Sequence, residues 1–198
     1  MLIVGAGNLG IHVLDQLLHD SYKEEVVFYD DSCDKSFIYN SYRVIKTIPE
    51  VVELFEKNLQ FIVAIGHPRI RHKLTEKFEK IGGKTCSLIH SSVFVSKFVT
   101  LKNEIIAQPN SVIAHDAVIG RSCILHTGSV IGHGVILGDY TSIAPNVTIV
   151  GPTEIGNYVS IGSGSVILAN LKIGNNVIIA AGSLVKSDLK DNITHVTI

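Results

Sequence analysis

The chain has 198 residues, 46% of them hydrophobic, which is enough apolar material for one domain or two small ones around a buried core. Its 17 Lys and Arg balance 18 Asp and Glu, so no basic field exists to hold a nucleic-acid backbone or an anionic membrane surface. No stretch carries eighteen uninterrupted apolar residues, and the opening MLIVGAGNLG lacks a basic lead and is broken by glycines. Cys33, Cys86 and Cys123 are odd in number and lack CxxC or CxH spacing, which argues against a disulfide framework or a cysteine metal site. The expectation is a cytoplasmic protein with reduced thiols, without membrane insertion and without a nucleic-acid partner.

In chain order, residues 1–88 alternate short β-rich runs with amphipathic stretches. MLIVG reads as a strand, LGIHVLDQLLHD as a helix, EVVFYDD as a strand and PEVVELFEKN as a helix. QFIVAIG then reads as a strand and RIRHKLTEKFEKIGG as a helix stopped by Gly82 and Gly83. This βαβαβα order predicts a parallel sheet with helical crossovers, a Rossmann-like half-domain too short for a full dinucleotide fold. GAGNLG places Gly5, Gly7 and Gly10 in a GxGxxG turn after a strand and before a helix, and Asp30 and Asp31 close the next strand. Such glycines let backbone amides approach a pyrophosphate at a helix N-terminus, while the acid takes a ribose hydroxyl.

From about residue 90 the helical periodicity gives way to a period of six. Aliphatic residues fall at Ile113, Ile119, Leu125, Ile131, Leu137, Ile143, Ile149 and so on without interruption to Val185. The following position is mostly small, as in Gly120, Gly132, Gly138, Ala144, Gly156, Gly162, Gly174 and Ala180. This is the hexapeptide repeat, in which each hexad makes one face of a triangular prism with its aliphatic side chain inside. The small residues are expected to let the backbone turn each corner. Three hexads close a coil of eighteen residues, and extension back through Val95, Leu101 and Ala107 gives roughly five coils. His115 and His133 are eighteen apart, so they should stack on successive coils and point outward; a structural histidine is the alternative for each.

GAGNLG, FYDD, AIGHPRIRHKL, LIHSS and SVIGHGVILGD, in that order, resemble the nucleotide-sugar acetyltransferase family that includes the PglD-type amino-sugar N-acetyltransferases and the NeuD-type sialic-acid O-acetyltransferases. The resemblance covers nearly the whole chain. It implies an all-β left-handed parallel β-helix over residues 89–198 after a nucleotide-sugar-binding domain over 1–88. It further implies a homotrimer, acetyl-CoA as co-substrate in the groove between subunits, and direct transfer to the amine of a UDP- or dTDP-linked amino sugar in bacterial surface-glycan synthesis. His133 matches the family's general base, and an imidazole suits that task because it accepts a proton near neutral pH.

Several residues depart from that pattern. Gly134 stands where PglD-like relatives carry the glutamate that orients the base, and Asp116, one coil earlier, is expected to replace it; a solvated corner residue is the alternative. Ser142 stands where many relatives have a histidine near the acetyl group. His126 stands where they have an asparagine facing the sugar, making it the second candidate base. Leu9, beside Asn8, replaces the histidine of the glycine loop. Gly66 and Arg71 match the far wall of the nucleotide pocket, with Arg71 open to a purely structural role. Gly151, Gly162 and Ala180 match positions that present amides to pantetheine, and Lys186 is a partner for CoA phosphate. The usual terminal G-x-P-A-K segment is absent, the chain ending DNITHVTI. His90 in LIHSS reads as a pin in the segment joining the two halves.

A sugar nucleotide is favoured over a nicotinamide dinucleotide because the half-domain lacks a second mononucleotide unit. N-transfer is favoured over O-transfer because a neutral amine is already nucleophilic. Two rivals belong to other classes. One is a zinc enzyme resembling the γ-class carbonic anhydrases, suggested by His115, His126 and His133 but not by their spacing, so no metal is expected. The other is a non-catalytic nucleotide-binding scaffold, suggested by Gly134 and Ser142.

Overall fold

The computed structural model describes residues 1–196 in two compact units, one made of Met1–Gly66 and Ile70–Ser87, the other chiefly of the chain from Leu88 onward. In the first, β1 (Leu2–Val4), α1 (Asn8–His19), β2 (Val27–Tyr29), β3 (Phe37–Ile38), β4 (Tyr42–Ile45), α2 (Ile48–Phe55), β5 (Gln60–Val63), α3 (Pro68–Lys80) and β6 (Lys84–Thr85) follow one another. The sheet order is β3-β4-β2-β1-β5-β6, parallel except for the β3–β4 pair. The sheet centre is β1, whose Leu2, Ile3 and Val4 are at most 1% exposed, as a strand covered on both faces requires. The order reverses between β1 and β5, which puts the glycine turn at the switch point where open α/β sheets bind ligands.

Local chemistry sets the element ends. Val13, Leu14 and Leu17 form the buried stripe of α1, and the chain leaves that helix through Ser21 at a φ of 61°. A reciprocal cap starts α2: the Glu50 carboxylate accepts from the Thr47 N–H at 3.1 Å and from its hydroxyl at 2.8 Å. Those bonds, led by the hydroxyl, hold the Glu50 carboxyl below its ordinary value. Tyr29, Phe55, Phe61 and Phe78 make one aromatic cluster with centroid separations of 5.0–6.1 Å. The β3–β4 hairpin, for which the sequence offered no alternating pattern, turns through Tyr39 and Asn40, both at positive φ.

The second unit is the left-handed parallel β-helix. Its strands, two or three residues long, form three parallel sheets in which each residue pairs with the one eighteen later, as in Ile106 with Ile124 and Ile124 with Ser142. Ile113, Ile119, Leu125, Ile131 and their successors through Val185 fill a single core. Leu88–Ile89 already pairs with Ile106–Ala107, so LIHSS opens the solenoid instead of joining two domains, and the stack is taller than the expected five coils. The last turn is shorter by two: Ile173 bridges Leu189 and Ile178 pairs with Thr194, both sixteen residues on.

The small residues after each aliphatic do not turn the corners. Gly120, Gly132, Gly138, Gly156 and Gly174 have ordinary φ; a Cβ on Gly138 would stand 2.5 Å from the Gly156 carbonyl carbon, so these positions are small because coils pack backbone against backbone. The turn is made two residues further on, at Asp116, Ser122, Gly128, Gly134, Tyr140 and Asn146, which occupy the left-handed region.

Candidate active site

Three edges separate the three sheets, and each carries its own column of side chains. The edge leading from the sheet containing Val118–Ile119 to that containing Ile124–Leu125 is structural. There Arg121 N–H donates to Asp139, Asp139 N–H to Asn157, Asn157 N–H to Asn175 and Asn175 N–H to Asp191, at 2.7–2.9 Å. Tyr140 and Tyr158 stack on it at 5.6 Å.

The edge after Leu125 carries His90, Gln108, His126, Ala144, Gly162 and Ala180 at intervals of eighteen. Gln108, 3% exposed, accepts at Oε1 from the Thr127 N–H at 3.2 Å and lies 3.0 Å from His126 Nδ1. An amide oxygen can only accept, so the neutral His126 carries its proton on Nδ1 and its lone pair on Nε2. His126 is half-buried. His90 is 6% exposed and accepts the Ser92 N–H at 3.1 Å, a local turn within the first coil.

The edge after Ile131 carries His115, His133 and Gly151. The imidazoles of His115 and His133 are stacked, centroids 5.4 Å apart and planes 10° from parallel. Gly151 is buried, and a Cβ there would fall on the His133 carbonyl oxygen, so the chain passes directly over the His133 backbone. His133 is exposed, and among the described residues no hydrogen bond or ion pair reaches its ring. The expectation for Asp116 is corrected: its carboxylate lies 2.8 Å from Nδ1 of His115, its own neighbour, and not against His133. Eighteen-residue spacing aligns backbones, but the shortest reach from a corner aspartate is to the adjacent residue. Lys186 is exposed on this same edge, and Ser142 is half-buried on the outer face of the sheet holding Ile124–Leu125.

Within one chain His126 therefore stands on a different edge from His115 and His133, so the three do not converge as metal ligands. Gly151 and Lys186 share the edge of His133, whereas Gly162 and Ala180 share that of His126.

In the first unit the glycine turn is built as the spacing requires. Gly5 has a φ of 106°, a Cβ on Gly10 would strike the Gly5 carbonyl, and Gly7 has open space around it. Gly7 caps α1 without a side-chain bond, and the first turn holds no acid, leaving the amides of Asn8 and Leu9 at a positive helix end. Asp30 has a structural job: Oδ2 accepts the Ala6 N–H at 2.9 Å, and Oδ1 accepts the N–H and hydroxyl of Ser32 at 3.0 and 2.7 Å. Burial alone would raise its carboxyl, but the bonds from Ala6 and Ser32 outweigh it and hold Asp30 below its ordinary value. Asp31 is exposed, 3.0 Å from the Tyr29 hydroxyl that donates to it. Gly66 is exposed with open space at its Cα. Arg71 is corrected: only 1% exposed, it donates from Nη1 to the Ile65 and Gly66 carbonyls at 2.8 and 2.9 Å, so it shapes the loop after β5 and offers a ligand no charge.

Comparison with known proteins fits both units. Residues 1–78 match the PglD N-terminal domain, and residues 116–151 and 152–187 each match the bacterial transferase hexapeptide, a unit of six repeats. A histidine-to-asparagine variant of perosamine N-acetyltransferase from Caulobacter crescentus, solved with CoA and GDP-perosamine, is 26% identical with a TM-score of 0.91, over 99% of this chain and 92% of that one. The acetyltransferase domain of PglB from Neisseria gonorrhoeae, solved with acetyl coenzyme A, is 27% identical with a TM-score of 0.90, over 98% and 93%. WeeI from Acinetobacter baumannii, at 22% identity and a TM-score of 0.93 over 99% and 95%, shares the fold. Fold and repeats define the class, the hexapeptide-repeat acyltransferases. Within it the chain belongs to the PglD-like family, whose nucleotide-sugar acetyltransferases carry this amino-terminal domain.

Proposed function

We propose that the chain transfers the acetyl group of acetyl-CoA to the amine of a nucleotide-linked amino sugar in the cytoplasm, with His133 as general base. The observation that carries this reading is an exposed imidazole on a solenoid edge whose ring nitrogens no group among the described residues occupies, in a chain that also holds a glycine turn built for a pyrophosphate. His133 takes the proton released as the amine nitrogen attacks the thioester carbonyl, and the sulfur leaves as CoA thiolate. Such a base adds about 10²–10⁴-fold, the remainder coming from proximity on a rigid scaffold. The amides of Asn8 and Leu9 receive the pyrophosphate, and Asp31 takes a ribose hydroxyl, since the oxygens of Asp30 already accept from Ala6 and Ser32.

The candidate residues fall on two edges, so the complete site needs two copies side by side: the His133 edge with Gly151 and Lys186 from one, the His126 edge with Gly162 and Ala180 from the next. A homotrimer supplies three such seams. UDP- and dTDP-linked amino sugars are the first substrates to try, with the GDP-linked sugar of the Caulobacter relative as the third. The test is release of free CoA thiol: His133→Ala should lower kcat by about 10²-fold or more. Turnover near wild type in that variant would move the base to His126 or to water.

A further inference from the structure

His133 poses a problem that the proposed chemistry makes acute. A base must hold its lone pair toward one proton, yet this side chain is exposed, has two free torsions and has no hydrogen-bonded partner among the described residues. The next residue, Gly134, sits at a corner with a φ of 63° and has no side chain to help. Among the described residues, the group that does engage the ring is His115, from the coil before.

We infer that His115, itself held by Asp116, is a positioning residue that fixes the plane of the His133 imidazole. The inference rests on His133 being the base. Three observations carry it. The rings lie nearly parallel in an offset stack, centroids 5.4 Å apart and planes 10° from parallel. The backbones beneath them are tied across the coils by the Gly134 N–H, which donates to the His115 carbonyl at 3.0 Å, so the spacing of the two rings is that of the solenoid itself. His115 is fixed in turn by the Asp116 carboxylate, 2.8 Å from Nδ1, which in the neutral ring places the proton on that nitrogen. The column ends there, since Gly151 follows one coil on.

Stacking holds a base differently from a hydrogen-bonded carboxylate. A carboxylate occupies one ring nitrogen and selects the tautomer, whereas an offset parallel ring limits the tilt of the imidazole plane and leaves both nitrogens at the rim. His115 thereby does without charge what an orienting acid would do with it, and any flat ring at that position should suffice.

The experiment uses the full chain with acetyl-CoA and whichever UDP-, dTDP- or GDP-linked amino sugar the wild type turns over fastest. His115→Ala should lower kcat by about 10- to 100-fold, with the KM for acetyl-CoA changed less than about twofold. His115→Phe, flat and uncharged, should return kcat to within about threefold of wild type. In proton spectra His115→Ala should also remove the upfield displacement that a stacked ring imposes on the His133 ring protons, a readout independent of turnover. Unmoved His133 signals, or a His115→Phe variant as slow as His115→Ala, would overturn the inference. Failure of the underlying reading is separate: it appears as turnover in His133→Ala, while a dead His133→Ala beside a fully active His115→Ala removes the positioning role alone.

Discussion

At the scale of single residues, the structure separates Asp30 from Asp31, which sit side by side in the sequence. Asp30 latches the glycine turn to the end of β2 through the Ala6 N–H. Because its folded carboxyl lies below the ordinary value of 3.8, the latch contributes fully above that value and is lost as pH falls through the lower folded value. The protection factor of the Ala6 amide, its exchange relative to an unstructured peptide at the same pH, should therefore hold down to about pH 4 and fall only below it, and Asp30→Ala should cost about 1 to 2 kcal/mol in denaturant unfolding. Protection already lost between neutrality and about pH 5 would contradict the assignment. The glycine turn itself was legible, because each glycine answers a local demand that spacing encodes. The partners of Asp30, Arg71 and Asp116 were not: a motif fixes where a side chain starts, and the nearest unsatisfied donor or carbonyl decides where it ends.

At the scale of elements, the hexad array could be read from sequence because its period is imposed by burial, each inward aliphatic recurring in register from Ile113 to Val185. Its beginning was hidden, since His90 and Gln108 stand where later coils carry alanine or glycine. The β3–β4 hairpin escaped for a related reason: its strands, Phe37–Ile38 and Tyr42–Ile45, are too short to set up an alternating pattern. Separating close packing from turning gives a prediction about glycines that the sequence alone would treat alike. Gly138→Ala places a methyl within 2.5–2.7 Å of the next coil's backbone and should cost about 1 to 3 kcal/mol or more in thermal unfolding. Gly164 has a φ of 69° with open space around it, so Gly164→Asn, which tolerates that conformation, should leave the melting temperature nearly unchanged. Equal losses at the two sites would show that conformation, and not coil contact, governs both.

At the scale of the whole molecule, the solenoid sheet that contains Val112–Ile113 presents Phe94, Val112, Val130, Val166 and Leu184 outward in one row, interrupted only by Thr148, with Phe94 61% exposed. An apolar row of that length on a parallel sheet calls for a cover, and in the proposed trimer a second copy would supply it while bringing two different edges to one seam. Light scattering should accordingly give a mass about three times the 21.5 kDa of the chain, and Val166→Glu should reduce it to that of one chain with loss of turnover. A wild-type chain that is monomeric and fully active would remove the shared site. No helix among the described residues is long and apolar enough to cross a membrane.

The register of eighteen, kept in every turn of the solenoid before the last, also makes its length come in whole storeys. Excising one storey above the histidine column would lower the tower yet leave each remaining side chain over its old neighbour. Losing six residues would keep the aliphatics inside while rotating everything downstream by a third of a turn. Evolution can thus lengthen or shorten this scaffold freely in one unit, and can carry a chemical group to a fresh edge in the other, without redesigning the interior.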